Sequence, residues 1–533
     1  MRAARMFQII VLALAVGLIF SACNPGGGAG AGEVRESQAG DEPTALAGAH
    51  EVGIIQGKDV NSYYLDSCSG CQGPDRRGAT GPALLAQRMT EDDAYYFDVI
   101  KNGKPGTIMP PWGGSLTDDE ITELVKFLRS DSTGEAMDWT EEDIRASLEV
   151  ITPEEELPDR PDGSFNIDNL LLVTEREGQA IAVIDGDTHR LLGKIPASYR
   201  AHGYTFSPTN PRWAYNMGRD GWVFKIDLYS LKPVRKARIG LDARAIALSD
   251  DGRYLIAGNY MPATAVILDA ETLEFVKLIK TRAADNEGVE VDSRVAAIMD
   301  TSPELVGPYF LVALKEAGQV WRIDWSKPDF PIVRLEKVGH ILHDGFLSED
   351  NRTFYLAAQL DNWMAAIDVE KMQLITEIET GAVPHPGSGA AWQADGKHYA
   401  ATTHAGEGKV TIWDTETNQI VGTVETPGAG LFIRAQENSP YVWADSVFAE
   451  APNSIVVFEK TAPFKVVKVI QEGKRTLHPE FTADGKFVYI ADWDDHVVRV
   501  YDAFTFEKVS EIEGIDTPTG IFNTNRRNET LGH

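Results

Sequence analysis

From about residue 168 to the end of the chain, apolar and polar residues alternate in short runs separated by polar turns such as Ala394-Asp395-Gly396. Alternation with a period of two predicts β-strands that bury one face. In each repeat, one run ends in an apolar residue followed by a carboxylate, and successive pairs lie 42 to 55 residues apart. The eight pairs are Ile184-Asp185, Ile226-Asp227, Leu268-Asp269, Ile323-Asp324, Ile367-Asp368, Trp413-Asp414, Phe458-Glu459 and Tyr501-Asp502.

A repeat of about 40–45 residues that carries four strands is typical of one blade of a β-propeller. The eight pairs therefore predict an all-β, eight-bladed propeller over residues 168–533. A ring of eight blades leaves a central channel wide enough for a flat cofactor, and the loops of one face converge on it. Propellers also serve as inert binding scaffolds, so the repeat alone predicts no chemistry.

Ahead of the repeats, residues 51–132 show a helical spacing of apolar positions. The pattern predicts helices over residues 90–101 and 117–129, the second with an apolar stripe along one face. These elements predict a small all-α domain, which residues 133–167 join to the propeller as a linker.

The chain begins like an export signal, with basic residues ahead of an apolar run over residues 9–20. The run is too short to span a bilayer in the mature protein. Its end at Ser21-Ala22-Cys23 resembles a bacterial lipoprotein signal over residues 1–23, and an ordinary secretory signal is the alternative. Residues 24–50 are predicted to form a flexible tether. We therefore expect an exported, periplasmic or extracytoplasmic protein, anchored to the membrane by a lipidated Cys23.

The charge balance narrows the classes of partner. The 533 residues carry 50 Lys and Arg against 80 Asp and Glu, which gives a formal net charge of −30. A surface this acidic repels phosphate, so nucleic-acid binding is not expected. The count of only three cysteines excludes a disulfide-stapled scaffold.

Two of the cysteines form the run Cys68-Ser69-Gly70-Cys71-Gln72. A C-x-x-C-H run attaches c-type haem, because both thiols add to its vinyl groups and the His ligates iron. In this chain Gln72 takes the place of that His. Downstream, Met109 lies in a proline-rich loop, as a distal thioether ligand of the iron would. Together with the predicted helices, these features resemble a small class I cytochrome c.

Other uses of a C-x-x-C run find less support in the surrounding sequence. Zinc needs two further soft ligands, but no other Cys or His lies between His50 and His189. A thioredoxin-like redox pair needs a βαβ context, which the pattern lacks. A disulfide between Cys68 and Cys71 is the alternative in an oxidising compartment.

Three of the eleven histidines lie in segments flanked by Gly or Pro, which we assign to loops between strands: His202, His343 and His385. Such loops can present imidazoles to the channel, where they could bind iron and donate protons to a bound anion. Ordinary surface histidines are the alternative. His404 stays undecided. No role is predicted for His189, His340, His398, His478, His496 and His533.

Arginines recur near equivalent points of successive repeats, at Arg219, Arg244 and Arg294. A guanidinium pairs with a carboxylate through two parallel N–H bonds, as a macrocycle rich in carboxylates would require. Ordinary structural salt bridges are the alternative.

A cytochrome c domain followed by an eight-bladed propeller resembles the cytochrome cd1 nitrite reductase family. Matching phrases include Gly218-Arg219-Asp220-Gly221, Leu342-His343-Asp344-Gly345 and His385-Pro386-Gly387. The resemblance implies non-covalent haem d1 in the propeller, with His202 as its proximal iron ligand. It implies that His343 and His385 form the distal catalytic pair. The implied contacts of the macrocycle are Arg219, Arg244, Tyr260 and Arg294.

The resemblance also implies covalent haem c on Cys68 and Cys71, with Met109 on its iron. Electrons from a small soluble cytochrome c or a cupredoxin would pass from haem c to haem d1 and reduce nitrite to nitric oxide. A homodimeric, periplasmic oxidoreductase is the form that the family implies.

Gln72 and the predicted lipid on Cys23 depart from the pattern of the reductases. Two alternatives with the same architecture therefore stay open: the related dihydro-haem d1 dehydrogenase, which oxidises the precursor of haem d1, and a non-catalytic d1 carrier. The presence of both His343 and His385 favours the reductase, because nitrite chemistry uses the pair.

Overall fold

The computed structural model describes residues 53–72, 76, 84, 86, 89, 91–103, 109–130, 138–176, 179–198, 200–449 and 451–526, except for the side chains of Gly70, Cys71 and Ser388. The predicted signal peptide, Cys23 and the predicted tether lie outside these residues. The chain divides into two compact units, Met1–Ala136 and Met137–His533. Among the described residues, no helix is long and apolar enough to cross a membrane.

The N-terminal unit is a small helical domain with one short hairpin. Its described elements are β1 (Ile54–Ile55), β2 (Lys58–Asp59), α1 (Val60–Ser67), α2 (Ser69–Gln72), α3 (Asp93–Asn102) and α4 (Asp118–Arg129). Thr117 and Glu120 form a capping box that begins α4, and the apolar stripe of this helix is buried in the domain core. Both predicted helices are present. They begin three residues and one residue later than the pattern indicated, because a capping residue, Asp92 or Thr117, precedes the first turn.

Residues 138–169 lead into the propeller and pack against it, and the first three propeller strands follow. The elements are α5 (Glu141–Ala146), β3 (Glu149–Val150), 3₁₀ turns at Glu154–Glu156 and Ile167–Asn169, β4 (Leu170–Glu175), β5 (Ala180–Asp185) and β6 (Arg190–Pro196). β3 adds a fifth strand to the outer edge of one propeller sheet. Trp139 donates its indole N–H to the carbonyl of Arg238 over 2.8 Å. Part of the segment expected to be a linker therefore lies on the propeller surface.

Seven consecutive four-stranded sheets follow, with a short hairpin inserted after the second. Their strands are β7 (Ala201–Phe206), β8 (Trp213–Gly218), β9 (Trp222–Asp227), β10 (Lys232–Arg238); β11 (Asp242–Leu248), β12 (Tyr254–Met261), β13 (Thr264–Asp269), β14 (Phe275–Lys280); the hairpin β15 (Arg282–Ala284), β16 (Glu290–Asp292); β17 (Val295–Asp300), β18 (Tyr309–Leu314), β19 (Gln319–Asp324), β20 (Ile332–Leu335); β21 (Leu342–Leu347), β22 (Thr353–Ala358), β23 (Trp363–Asp368), β24 (Gln373–Ile378); β25 (Pro384–Ala394), β26 (Lys397–His404), β27 (Lys409–Asp414), β28 (Ile420–Glu425); β29 (Ile433–Ala435), β30 (Tyr441–Asp445), β31 (Ser454–Glu459), β32 (Val466–Gln471); and β33 (Thr476–Phe481), β34 (Phe487–Asp492), β35 (Val497–Asp502), β36 (Lys508–Ile512).

The eighth blade joins the two ends of the propeller. The last strand, β37 (Pro518–Asn523), pairs antiparallel with β4, and β5 and β6 complete the sheet. This pairing closes the ring, which protects the sheet edges that an open array would expose. The first strands of consecutive blades lie against one another from β7 to β37, so they surround the axis of the ring. The predicted eight-bladed propeller is confirmed.

Each apolar–carboxylate pair that marked a repeat ends the third strand of its blade. In the seven pairs that end in Asp, the carboxylate then accepts hydrogen bonds from the turn that follows. Asp227, for example, accepts from the backbone N–H groups of Tyr229 and Ser230 over 3.2 and 3.1 Å. A short side chain with two acceptor oxygens suits this tight turn, which explains why Asp recurs at this point in seven of the eight blades.

Candidate functional site

Four candidate residues of the propeller, the three histidines and Arg244, lie on the first strands of their blades, where the pairing with the second strand shifts register. His202 interrupts the register of β7, Arg244 that of β11 and His343 that of β21, while β25 leaves its partner directly after His385. A β-bulge adds a residue to one strand and turns its side chain in a new direction. The three histidines therefore lie in bulged strands, not in the loops that the flanking Gly and Pro suggested.

Arg244 connects three of these blades through its guanidinium group. Its Nη1 lies 3.2 Å from Nε2 of His202, and its Nη2 lies 3.2 Å from Nε2 of His343. Nη2 also donates to Oδ1 of Asp344 over 3.0 Å. Because a guanidinium can only donate, both Nε2 atoms act as acceptors. Two imidazoles from different blades thus present their lone pairs to one cation.

Asp344 is a buried carboxylate between the two distal histidines. Its Oδ1 lies 3.7 Å from Nδ1 of His343, and its Oδ2 lies 3.6 Å from Nε2 of His385. The rings of His343 and His385 approach to 4.9 Å between centroids. The structure therefore brings the predicted pair together and adds Asp344, which the sequence had not singled out.

His385 is held in one tautomer by the backbone. Its Nδ1 lies 3.1 Å from the carbonyl oxygen of Leu431, so Nδ1 carries the proton and Nε2 keeps a lone pair. Burial lowers the pKa of His385, Asp344 opposes that shift, and the nearby Arg244 adds to it. The imidazole is consequently neutral at pH 7.

The predicted arginines converge on Tyr260. The guanidinium carbons of Arg219, Arg244 and Arg294 lie 4.7, 6.0 and 4.9 Å from the centre of its ring. Each arginine also forms an ion pair: Arg219 with Asp242, Arg244 with Asp344 and Arg294 with Glu316. The salt bridges considered as an alternative are therefore present. The same three guanidinium groups also form one rim around an aromatic ring.

Lys315 lies buried next to this rim, although no sequence motif marked it. Its backbone N–H donates to the carbonyl of Arg294 over 2.8 Å, and its carbonyl accepts from the N–H of Leu342 over 3.0 Å. Burial, with the charges of Arg294 and Arg244, lowers the pKa of Lys315 to about 7. Its burial arises only where the third and fourth blades meet, so local sequence carries no signal for it.

A further buried histidine, His478, occupies the bulge of β33. Its Nδ1 accepts the backbone N–H of Ile521 over 3.3 Å, and its ring packs 4.2 Å from that of Phe432. Sequence reasoning assigned His478 no role, although Pro479 follows it directly. Its place near the start of a first strand, like that of His385, was the signal that could have found it.

The other histidines lie apart from this cluster. His404, which was undecided, is buried at the end of β26 and bonds through Nε2 to Oγ1 of Thr411 over 3.0 Å. Burial lowers its pKa to about 4, which marks a neutral structural histidine. His533 lies outside the described residues. Four others are at least partly exposed and bond to neighbouring side chains: His189, His340, His398 and His496.

In the N-terminal unit, Cys68 and Met109 pack against the same apolar core. The backbone of Cys71 lies in α2, directly before Gln72. Gly103 has a φ of +71°, and a Cβ at this position would lie 2.8 Å from the carbonyl oxygen of Met109. The segment that carries Met109 can therefore lie this close to residue 103 only because a glycine has no Cβ. Oε1 of Gln72 is buried and has no hydrogen-bond partner among the described residues.

The propeller residues fit the chemistry of haem d1. His202 offers an imidazole Nε2 that already faces a cation, and the arginine rim suits carboxylate substituents. The N-terminal unit fits haem c in part, because Cys68 and Met109 supply sulfur groups. No described residue of that unit is a histidine, and the amide of Gln72 is a weaker iron ligand than imidazole.

Comparisons with known proteins agree with this division. Residues 165–527 match the family described as the cytochrome D1 heme domain, and residues 56–128 match cytochrome C oxidase, cbb3-type, subunit III. The chain is 33% identical over 473 residues to the dihydro-heme d1 dehydrogenase of Pseudomonas aeruginosa, covering 87% of this chain and 93% of that protein. It is 28% identical over 534 residues to the nitrite reductase of Stutzerimonas stutzeri, covering 90% and 94%.

A solved structure of the dihydro-heme d1 dehydrogenase NirN in complex with DHE aligns with a TM-score of 0.75 and 32% identity, over 88% of this chain and 99% of that one. These matches confirm the resemblance to the cytochrome cd1 proteins. They span both units and nearly the whole length of the relatives. The protein therefore belongs to the cytochrome d1 haem domain family, and carries a cytochrome c domain ahead of its propeller.

Proposed function

We propose that this protein oxidises dihydro-haem d1 to haem d1, with the loss of two electrons and two protons from the substrate. This is the dehydrogenase that the sequence left open as an alternative to nitrite reduction. The relative named for this activity shares 33% of aligned residues with the chain, against 28% for the nitrite reductase. The solved structure with a TM-score of 0.75 bears the same name.

The state of His385 is the observation that carries the proposal. Its Nδ1–H is bound to the carbonyl of Leu431, and burial keeps the ring neutral, so Nε2 is ready to accept a proton. A dehydrogenation releases protons and needs such an acceptor. Reduction of nitrite to nitric oxide consumes protons and needs charged donors instead. Asp344, 3.6 Å from Nε2, stabilises the imidazolium that forms.

The other residues hold and orient the substrate. His202 offers Nε2 as a ligand for the iron of the tetrapyrrole, which the bound substrate itself supplies. Arg219 and Arg294, on the ring of Tyr260, receive its carboxylates. His385 accepts one proton and solvent receives the other. The two electrons pass to two oxidised one-electron carriers. The small soluble cytochrome c or cupredoxin that the resemblance implies as the electron donor of the reductases would act here as the acceptor.

The decisive experiment mixes the protein anaerobically with dihydro-haem d1 and excess ferricyanide as a one-electron acceptor. Absorbance then reports both the acceptor and the tetrapyrrole. We expect His385→Ala to retain tetrapyrrole binding but to turn over about 100-fold more slowly, because a general base is lost. His398→Ala is the matched control, since His398 lies in the same blade and bonds to Glu349 at the surface. Full turnover in His385→Ala would refute the role of His385.

Nitrite reduction is the second candidate, and one observation favours it. Both distal histidines are present, with ring centroids 4.9 Å apart. Protein loaded with haem d1, reduced and mixed with nitrite under a nitric oxide electrode separates the two functions. Sustained nitric oxide production would establish the reductase. Binding of the tetrapyrrole without turnover in either assay would instead support the non-catalytic carrier.

We also propose that the protein acts outside the cytoplasm, on the basis of its N-terminal sequence. Basic residues, an apolar run and Ser21-Ala22-Cys23 support export with a lipid on Cys23. Metabolic labelling with a fatty acid analogue should mark the protein and not its Cys23→Ser variant. Labelling of both proteins would contradict a lipid anchor on Cys23.

A further inference from the structure

Asp445, at the end of β30, is completely buried and bonds to the backbone of two segments, one that contacts His385 and one that carries His478. Its Oδ1 accepts the backbone N–H groups of Leu431 and Phe432 over 2.7 and 3.1 Å. Its Oδ2 accepts the backbone N–H of His478 over 3.1 Å. One carboxylate thus joins the segment before β29 to the bulge of β33.

Asp445 forms no ion pair with any described residue, and all three of its bonds come from backbone N–H groups. Placing a carboxylate in such a site is costly, and burial raises the pKa of Asp445 to about 6 against the effect of these bonds. An apolar or neutral side chain would avoid this cost. The carboxylate therefore points to a role in holding the backbone segments that it bonds in fixed positions.

One part of that task concerns His385. The carbonyl of Leu431, whose own N–H is bound by Asp445, accepts the Nδ1–H of His385 over 3.1 Å. Gly387 has a φ of +57°, and a Cβ there would lie 2.7 Å from the same carbonyl oxygen, so the two segments are in close contact. Because this carbonyl oxygen can only accept, its position beside Nδ1 determines which ring nitrogen of His385 carries the proton.

The other part concerns His478. Asp445 holds its backbone, and the N–H of Ile521 donates to its Nδ1 over 3.3 Å. Nδ1 is therefore an acceptor and Nε2 carries the proton, the reverse of His385. The ring of Phe432 lies between the two imidazoles, 6.3 Å from His385 and 4.2 Å from His478.

We infer that Asp445 is a positioning residue that fixes His385 and His478 in opposite tautomers, one ready to accept a proton at Nε2 and the other ready to donate one. It acts through the backbone of Leu431, Phe432 and His478 and contacts no substrate. The inference rests on the proposed function only for its effect on turnover. The tautomers themselves can be measured without any substrate.

The first test is a nitrogen-15 NMR spectrum of the full-length protein labelled on histidine, with His385→Ala and His478→Gln used to assign the signals. We expect the Nδ1–H form for His385 and the Nε2–H form for His478. The same tautomer at both positions would overturn the inference, and this measurement needs no variant of Asp445.

The second test uses Asp445→Asn, which preserves shape but replaces one acceptor oxygen with a donor NH₂. If that NH₂ faces His478, two donors meet and His478 moves. If it faces Leu431 and Phe432, the carbonyl that holds His385 moves. Either orientation should shift at least one histidine signal and lower kcat about 10-fold or more, as loss of an outer partner does, with the Kd for dihydro-haem d1 changed less than about 3-fold.

Asp227→Asn is the matched control. Asp227 is also fully buried and accepts backbone N–H groups, but it is paired with Arg212, and its partners Tyr229 and Ser230 belong to a turn that is not part of the segments around His385 and His478. Its variant should lose stability without altering either histidine signal. Unchanged histidine signals in Asp445→Asn, or the same changes in Asp227→Asn, would contradict the inference. Expected tautomers without any turnover would instead contradict only the proposed function.

Discussion

The propeller and the N-terminal domain assemble their ligand-type side chains in different ways. In the propeller, His202, Arg244 and His343 come from three blades and are held by β-ladders and by bonds to one guanidinium. In the N-terminal domain, Cys68 and Gln72 come from one short local motif. The local motif changes its chemistry with a single residue, as Gln72 shows. The propeller site depends on packing across blades and is therefore more sensitive to loss of a shared partner.

The strongest way to break this comparison is Arg244→Met. The change removes the ion pair with the buried Asp344 and the cation that faces both imidazoles. Losing one partner of a buried pair costs about 3–5 kcal/mol. We expect calorimetry of the full chain to show a lower unfolding temperature for the propeller and an unchanged transition for the N-terminal domain. Arg253→Met, at an exposed site in the same blade, is the control and should leave both transitions in place.

A second test measures how the free energy of unfolding changes at low pH, an effect that we expect in the propeller. Since burial lowers the pKa of His404 to about 4, the unfolded chain binds this proton at a higher pH than the folded one. The neutral His404 therefore makes its full contribution to the free energy of unfolding above about pH 6.5. This contribution, up to about 3 kcal/mol, is lost as the pH falls towards 4.

His404→Gln keeps a donor for Thr411 and should remove this loss, as measured by urea unfolding between pH 4 and 7. Asp445, whose pKa is raised to about 6, acts in the opposite direction but is common to both proteins. The difference between the two curves therefore isolates His404. Parallel curves across this range would contradict the assignment.

The smallest expected effect concerns the N-terminal domain. Gln72→His restores the imidazole of a C-x-x-C-H motif. We expect a several-fold rise in haem that survives acidic acetone extraction, in a host with haem c maturation, and no change in tetrapyrrole affinity of the propeller. Equal covalent haem in both proteins would show that Gln72 does not limit attachment.

The repeat pattern was sufficient to predict the propeller, because the turn after the third strand holds a short carboxylate in seven blades, and an apolar–carboxylate pair marks all eight. Flanking Gly and Pro residues led to His202, His343 and His385, and equivalent repeat positions led to the arginines around Tyr260. The structure brings these residues together. The N-terminal helices were predictable for the same reason, since apolar spacing and capping residues are local features.

Other parts of the site depend on contacts between distant segments. The bulges that aim the histidines arise from pairing with a second strand, so Gly and Pro nearby suggested loops instead. Lys315 and Asp445 follow the same principle, because each is buried where neighbouring blades meet. Periodicity along one strand contains no information about such junctions.

The most direct test of the central claim is the mass of the tetrapyrrole recovered after one anaerobic turnover. Full-length protein would be mixed with dihydro-haem d1 and ferricyanide, extracted and examined by mass spectrometry. We expect a product that is lighter by two hydrogen atoms, formed by the wild type and by His398→Ala but not by His385→Ala. A tetrapyrrole of unchanged mass, together with nitric oxide formation from nitrite by the reduced, haem d1-loaded protein, would contradict the account.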